Sequence, residues 1–356
     1  MTKERNTMDT KIIATIGPKS ESYITLKSMV LSGMDMVRLN FSHATYDQYY
    51  RVKGALDKIE EDTGIKVKML FDLQGPRIRI GKLSHDVMMN DGDTYALMFN
   101  KGNIDNMEIP IDDAELIQDL KIGDPIFLDN GSIELIVKEI DLLKQKFLVK
   151  VERGGILLSR KGVNVPKTVL RRPILTAKDL LDIEFVKKIV PDYIAISFVQ
   201  NHQDILELKK ILKNDNIKIV SKIERAIALD DIDNIIRQSD VIMIARGDLG
   251  IEMPMEDLPI IQKNLIRHAH WHNRPAIVAT QMLASMVDHY RPTRAEVSDV
   301  ANAIFDGADA LMLSDETAIG EYPVDAIKIM AKIIKKTNEY FNNRNYFQDL
   351  EVTYKK

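Results

Sequence analysis

The succession of apolar runs and amphipathic stretches predicts an α/β chain: a (β/α)8 barrel of the TIM type, with an all-β lid domain inserted after strand 3. Three observations carry this. Short apolar runs alternate with helical stretches towards both ends of the chain. The runs lack polar alternation, as strands buried on both faces do. From 76 to 172 the rhythm breaks into short alternating strands with Gly- and Asn-containing turns. A doubly wound sheet is the alternative architecture.

Residues 11–16 read as the first strand, closed by Gly17-Pro18. A helix over 22–32 follows, with Gly33 closing it at C′. A second strand at 34–39 leads to a helix over 45–62, stopped by Gly64, and a third strand spans 67–72. The insertion holds strand candidates at 78–80, 94–98, 125–128, 133–137 and 147–151. Alternation then resumes with strands at 193–197, 217–222, 241–245, 276–280 and 310–313. The helices after them are read at 203–212, 227–239, 256–273, 294–306 and 324–341. The expected organisation is barrel over 1–75, lid over 76–172, barrel over 173–343 and a polar tail over 344–356.

The 356 residues are 45% hydrophobic and 29% charged, a globular composition. Lys plus Arg (49) nearly balance Asp plus Glu (53), so there is no basic field for sequence-independent nucleic-acid binding. With no Cys, disulfides, thiolate nucleophiles and Cys-ligated metals are ruled out. Residues 1–10 are not a secretory signal, and no apolar run approaches the ~18 residues of a membrane span. A cytoplasmic protein with neither nucleic-acid nor membrane partners is expected.

In such a barrel, catalytic side chains sit at the C-terminal ends of strands. Here those ends carry Arg38, Asn40, Ser42 and His43, then Asp72, Ser197, Lys222 and Glu224. Further along come Arg246-Gly-Asp248, Thr280-Gln281 and Ser314-Asp-Glu-Thr317. Glu224 and Asp248 suit one hard divalent cation, with a structural ion pair to Lys222 or Arg246 as the competing reading. Lys222 suits a transferring phosphoryl group, and Arg38 adds a second positive clamp. Gly247-Asp248 at a helix start offers backbone N–H groups to a substrate carboxylate. Metal-assisted phosphoryl transfer on a small anionic acid fits the set. Enolisation or aldol cleavage of a keto acid needs many of the same groups.

Thr15-Ile-Gly-Pro18, Arg38-Leu-Asn-Phe-Ser-His43, Asp72-Leu-Gln-Gly-Pro76 and Lys161-Gly-Val-Asn164 resemble the pyruvate kinase family. So do Lys222-Ile-Glu224, the segment from Ala245 to Glu252, Ala279-Thr-Gln-Met-Leu283, Arg291-Pro-Thr-Arg-Ala-Glu296 and Asp299-Val-Ala-Asn302. The resemblance implies a barrel with a mobile β-lid and transfer of a phosphoryl group from phosphoenolpyruvate to ADP, giving pyruvate and ATP. It implies Lys222 on the phosphoryl group and enolate, and Glu224 and Asp248 on Mg2+ or Mn2+. Ala245, Arg246, Gly247, Asp248 and Thr280 match substrate positions. Thr280 also matches the place of proton delivery, with Ser314 and Glu316 as a relay. Thr15, Arg38, His43, Arg79 and Lys161 match positions near the nucleotide, and Asp129 matches the lid acid.

The monovalent-cation region of the resemblance falls on Asn40, Ser42, Asp72, Leu73 and Arg77. Arg77 stands where potassium-dependent members carry Glu, so a fixed cation is expected to replace K+. Asp315 and Asn130-Gly-Ser132 are further departures. Because most members continue into an allosteric domain, no activation by a sugar bisphosphate is expected, and a homo-oligomer would form through the barrel. A metal-dependent keto-acid lyase or decarboxylase, or a weakly active regulatory protein, is the alternative. His268 and His272 share a helix face, but without an acidic third ligand they read as a surface or interface helix. The Met residues read as core filling.

Overall fold

The computed structural model describes residues 10–99, 101–166 and 168–342; the stretch over 1–9 and the polar tail over 344–356 lie outside the described residues. Eight parallel strands close into a barrel. They are β1 (Lys11–Thr15), β2 (Met36–Asn40), β3 (Lys68–Asp72) and β4 (Tyr193–Ile196), then β5 (Lys218–Ile223), β6 (Val241–Ala245), β7 (Ala276–Ala279) and β8 (Ala310–Leu313). Neighbours pair in chain order, and β8 closes on β1 with Lys11 opposite Ala310 and Ala14 opposite Leu313. An open doubly wound sheet has two edges; this sheet has none.

Side chains alternate along each strand between the barrel interior and the helix layer. Ile13, Leu70, Ala195, Val220 and Met243 fill the interior. Ile12, Val37, Phe71, Ile194 and Ile242 pack in the separate layer core with the helices. Both faces are buried, which is why these runs are continuously apolar.

Helix Tyr23–Leu31 starts at Ser22, whose side chain accepts from Thr25 N–H, and the chain leaves through Gly33 at φ 111°. Helix Tyr46–Thr63 ends at Gly64 in the left-handed region, φ 71°. The stretch read as one helix over 227–239 is a 3-10 segment, Ala226–Asp231, running into helix Ile232–Gln238. Helix Ala177–Ile189 has no counterpart in the sequence reading. It belongs to the third βα unit, parted from β3 by the insertion. Its start is marked by a capping box of Thr176 and Asp179. Asp179 also accepts the Gln74 and Gly75 N–H groups at 3.0 and 3.3 Å, tying this helix to the exit of β3.

Between β3 and that helix, the described residues form nine short strands, arranged as a seven-stranded sheet and a two-stranded ribbon. They enclose their own core, including Leu97, Ile126, Leu135 and Val149. Strands Val87–Met89, Glu108–Ile111, Gly155–Leu157 and Gly162–Asn164, which the sequence reading lacks, are each only three or four residues long. That is too short for alternation to stand out. Among the described residues, no helix is long and apolar enough to cross a membrane.

Candidate active site

The alternation that fills the barrel interior also aims polar side chains into its C-terminal mouth. Thr15 lies two residues beyond inward Ile13, Asp72 beyond Leu70, Ser197 beyond Ala195 and Lys222 beyond Val220. Glu224 lies two further on. All five, with Arg38, are buried.

Asp72 is the hub. Its Oδ2 takes Arg38 Nε at 2.7 Å and Nη2 at 2.6 Å. Its Oδ1 faces Lys222 Nζ at 3.2 Å and accepts from Ser197 Oγ at 3.3 Å. Lys222 Nζ also donates to Ser197 Oγ at 2.8 Å and meets Glu224 Oε1 at 3.0 Å. Arg38 is fixed further by donating to Thr15 Oγ1 at 2.9 Å, and Thr15 donates to the Leu313 carbonyl at 2.9 Å. Burial opposes the charge on Asp72, but Lys222 and Arg38 outweigh it and hold the carboxyl below the usual range. Burial opposes the Lys222 charge too, and Asp72 and Glu224 more than reverse it, so its pKa is raised.

Glu224 is in a different position. Its Oε2 accepts from the Phe198 N–H at 2.7 Å. Burial, with Asp248 and Asp72 adding, pushes its pKa up in spite of Lys222. Asp248 stands in the short helix Arg246–Leu249 after β6 and meets Arg77 Nη2 at 3.6 Å. Two carboxylates that follow adjacent strands, with Asp72 adding a third negative charge to Glu224, are a donor set that fits Mg2+. That ion takes one or two carboxylates and fills its remaining positions with substrate oxygens and water.

The Arg246 guanidinium does not face this cluster. It pairs with Asp299 at 2.7 Å and donates to the Thr280 carbonyl at 2.8 Å, so it joins the loops after β6 and β7. Gly247 allows their close approach: a Cβ there would stand 2.7 Å from Thr280 Cγ2. Thr280 itself has φ 77° and Gln281 φ 56°, a left-handed pair without glycine. For a β-branched residue that conformation is strained and is held by its surroundings. Glu316 accepts from the Leu283 N–H at 3.0 Å and the Ser314 N–H at 2.7 Å, and burial pushes its pKa up. Among the described residues, neither Ser314 nor Glu316 is hydrogen-bonded to Thr280.

The remaining predicted residues sit around the rim. Asn40 accepts the Ser42 N–H at 3.1 Å, and His43 is exposed on the turn after β2. On the lid side, Lys161 pairs with Asp129 at 2.9 Å and Arg79 donates to the Arg160 carbonyl at 3.2 Å. Arg77 also stacks over Gly162 of the lid, where a Cβ would stand 3.5 Å from its Nη2. The Leu73 side chain is buried in the layer core, and its carbonyl accepts from Ser197 Oγ at 2.7 Å.

Three groups at the site carry no role in the sequence reading. Ser197 holds Lys222, Arg225 pairs with Glu252, and Arg172 reaches the Pro76 carbonyl at 3.1 Å. Away from the mouth, His268 and His272 both meet Asp233 Oδ1, at 3.0 and 3.3 Å. Among the described residues, no group of three or more His, Cys, Asp or Glu is arranged to hold a metal.

The fold and the site define a (β/α)8 barrel enzyme with an inserted β-domain and a buried cation–carboxylate cluster at the C-terminal mouth. A family model for the barrel domain of pyruvate kinase matches residues 7–327. Pyruvate kinase of Agrobacterium vitis is 43% identical over 351 residues, 98% of this chain and 72% of that protein. The Thermococcus litoralis pyruvate kinase is 43% identical over 340 residues, 95% of this chain and 71% of that protein. For Geobacillus stearothermophilus the figures are 41% over 340 residues, 94% and 58%. The chain belongs to the pyruvate kinase family.

Proposed function

We propose that this chain transfers the phosphoryl group of phosphoenolpyruvate to ADP, giving pyruvate and ATP. The observation that carries this is the buried Lys222–Asp72–Arg38 cluster beside the Glu224–Asp248 carboxylate pair. Phosphoryl transfer requires little covalent participation from the protein. It requires fixed positive charge where charge spreads over the moving oxygens. Lys222 Nζ keeps its proton because Asp72 and Glu224 hold it charged, so it serves as a donor to the transferring group and to the enolate oxygen left behind. Asp72 fixes Arg38 and Lys222 at a set spacing without touching substrate.

Glu224 and Asp248 would hold Mg2+ or Mn2+, which supplies charge neutralisation for phosphoryl and carboxylate oxygens. The Gly247 and Asp248 N–H groups, at the start of a helical turn, have no intrahelical acceptors and would take the substrate carboxylate. The enolate carbon receives its proton on the Thr280 side, with Ser314 and Glu316, at the start of the short helix Asp315–Ala318 after β8, as the expected relay. At the rim, Arg79 and Lys161 with Thr15, Arg38 and His43 would meet the nucleotide, and Asp129 would close with the lid. Arg77 is the expected substitute for the monovalent cation whose region, by the family resemblance, falls on Asn40, Ser42, Asp72 and Leu73. The relatives named above are all pyruvate kinases, and nothing in them favours a lyase.

The test is a coupled assay for pyruvate formation from phosphoenolpyruvate, with ADP and Mg2+ withheld in turn. Turnover that needs both supports the reading. Pyruvate formed at the same rate without ADP would overturn it.

A further inference from the structure

The lid joins the barrel through two crossings of the chain, one leaving after β3 and one returning, among the described residues, through 165–166 and 168–172. The returning crossing is gripped from the barrel side. Gln200 exchanges two hydrogen bonds with the Leu170 backbone, both at 3.0 Å. Arg225 Nη2 donates to the Val165 and Thr168 carbonyls at 3.1 and 2.8 Å. Arg225 Nε meets both oxygens of Glu252 at 3.0 Å, with both side chains almost wholly buried. Glu252 Oε2 also accepts the Ala226 N–H at 3.1 Å.

This pair touches the carboxylate site through the chain itself. Arg225 follows Glu224 directly in extended backbone, φ −115° and ψ 135°. Successive side chains there point opposite ways, Glu224 into the mouth and Arg225 to the hinge. Glu252 follows Asp248 by four residues, through a tight turn in which Ile251 N–H bonds the Asp248 carbonyl at 3.1 Å. One contact therefore fastens three things: the loop after β5, the loop after β6, and the lid's return. A buried ion pair is a costly way to gain stability alone, since apolar residues of equal volume do as well. A guanidinium fork hydrogen-bonded to one carboxylate oxygen and two backbone carbonyls gains orientation instead.

We propose that Arg225 and Glu252 are positioning residues. They clamp the returning crossing of the lid and, through the same contact, set the spacing of Glu224 and Asp248. The proposal rests on the reading above that those two carboxylates hold the divalent cation. It makes lid seating and cation affinity two readings of one contact.

The test uses Arg225→Lys and Glu252→Gln in the full chain, both close to the original in shape. Mn2+ binding without substrate is read by electron paramagnetic resonance, and amide exchange is read over 165–170. In both variants exchange over 165–170 is expected to quicken, and Mn2+ affinity to fall about ten- to a hundredfold. The double variant should be little worse than either single one. If Arg225→Lys fails to fold, Glu252→Gln carries both readouts. Quickened exchange with wild-type Mn2+ affinity would overturn the coupling, as would no change in either. Glu224→Gln serves as reference. Unchanged Mn2+ binding there would overturn the cation reading and the clamp with it. Loss there, with wild-type binding in both clamp variants, would overturn the clamp alone.

Discussion

Asp72 decides how the residues at the mouth behave. Its two oxygens are divided, one to the Arg38 fork and one to Lys222 and Ser197. Because those cations outweigh burial, folded Asp72 stays ionised to lower pH than the unfolded value of about 3.9. The stabilisation from this pairing is present above that value and is lost as pH falls through the lower folded value. Asp72→Asn leaves two buried cations short of a partner. It is expected to cost about 3–5 kcal/mol at neutral pH and to flatten the acid side of the stability profile, as read by urea unfolding across the acidic range. The sequence shows Asp72 as a polar strand end and, through the resemblance, as part of a monovalent-cation region, but not as the partner of Arg38 and Lys222. Its partners lie 34 and 150 positions away in the chain, and charge alone does not choose between a cation site and an ion pair.

At the scale of elements, strand ends supply the site and loops adjust it. Inward positions were readable once strand parity was fixed: Val220, Lys222 and Glu224 follow one another at steps of two. The strained turn after β7 was not readable, because Thr280-Gln281 contains no glycine to mark a positive φ. Gly247 is its complement, and Gly247→Ala would drive a methyl group into Thr280 Cγ2. We expect about 1–3 kcal/mol of destabilisation in thermal or urea unfolding, with a raised KM for phosphoenolpyruvate. An unchanged KM would show that the two loops adapt independently. Helix Ala177–Ile189 teaches a different lesson. Its capping-box signal, Thr176 and Asp179, is present in the sequence, but the insertion hides which strand it serves.

For the whole molecule, two separately cored parts meet at the catalytic mouth. The eightfold alternation and its interruption were legible because both barrel faces are buried and the insertion changes the period. The contacts across the junction were not, since Arg77 with Asp248 and Arg225 with Val165 join residues far apart in sequence. Arg77 lies between Gly162 of the lid and Asp248 of the barrel, a fixed cation at the junction. Activity is therefore expected with tetramethylammonium as the sole monovalent cation, unchanged on adding K+. A large stimulation by K+ would remove Arg77 from that role.

On the proposed function, Lys222, held charged by Asp72 and Glu224, carries the phosphoryl transfer. The most direct measurement is the rate of pyruvate formation by Lys222→Met with ADP and Mg2+ saturating, after its circular dichroism and melting have been checked against the wild type. A folded protein whose kcat has fallen by about 10³-fold or more is expected. A folded variant that keeps most of the wild-type rate would contradict it.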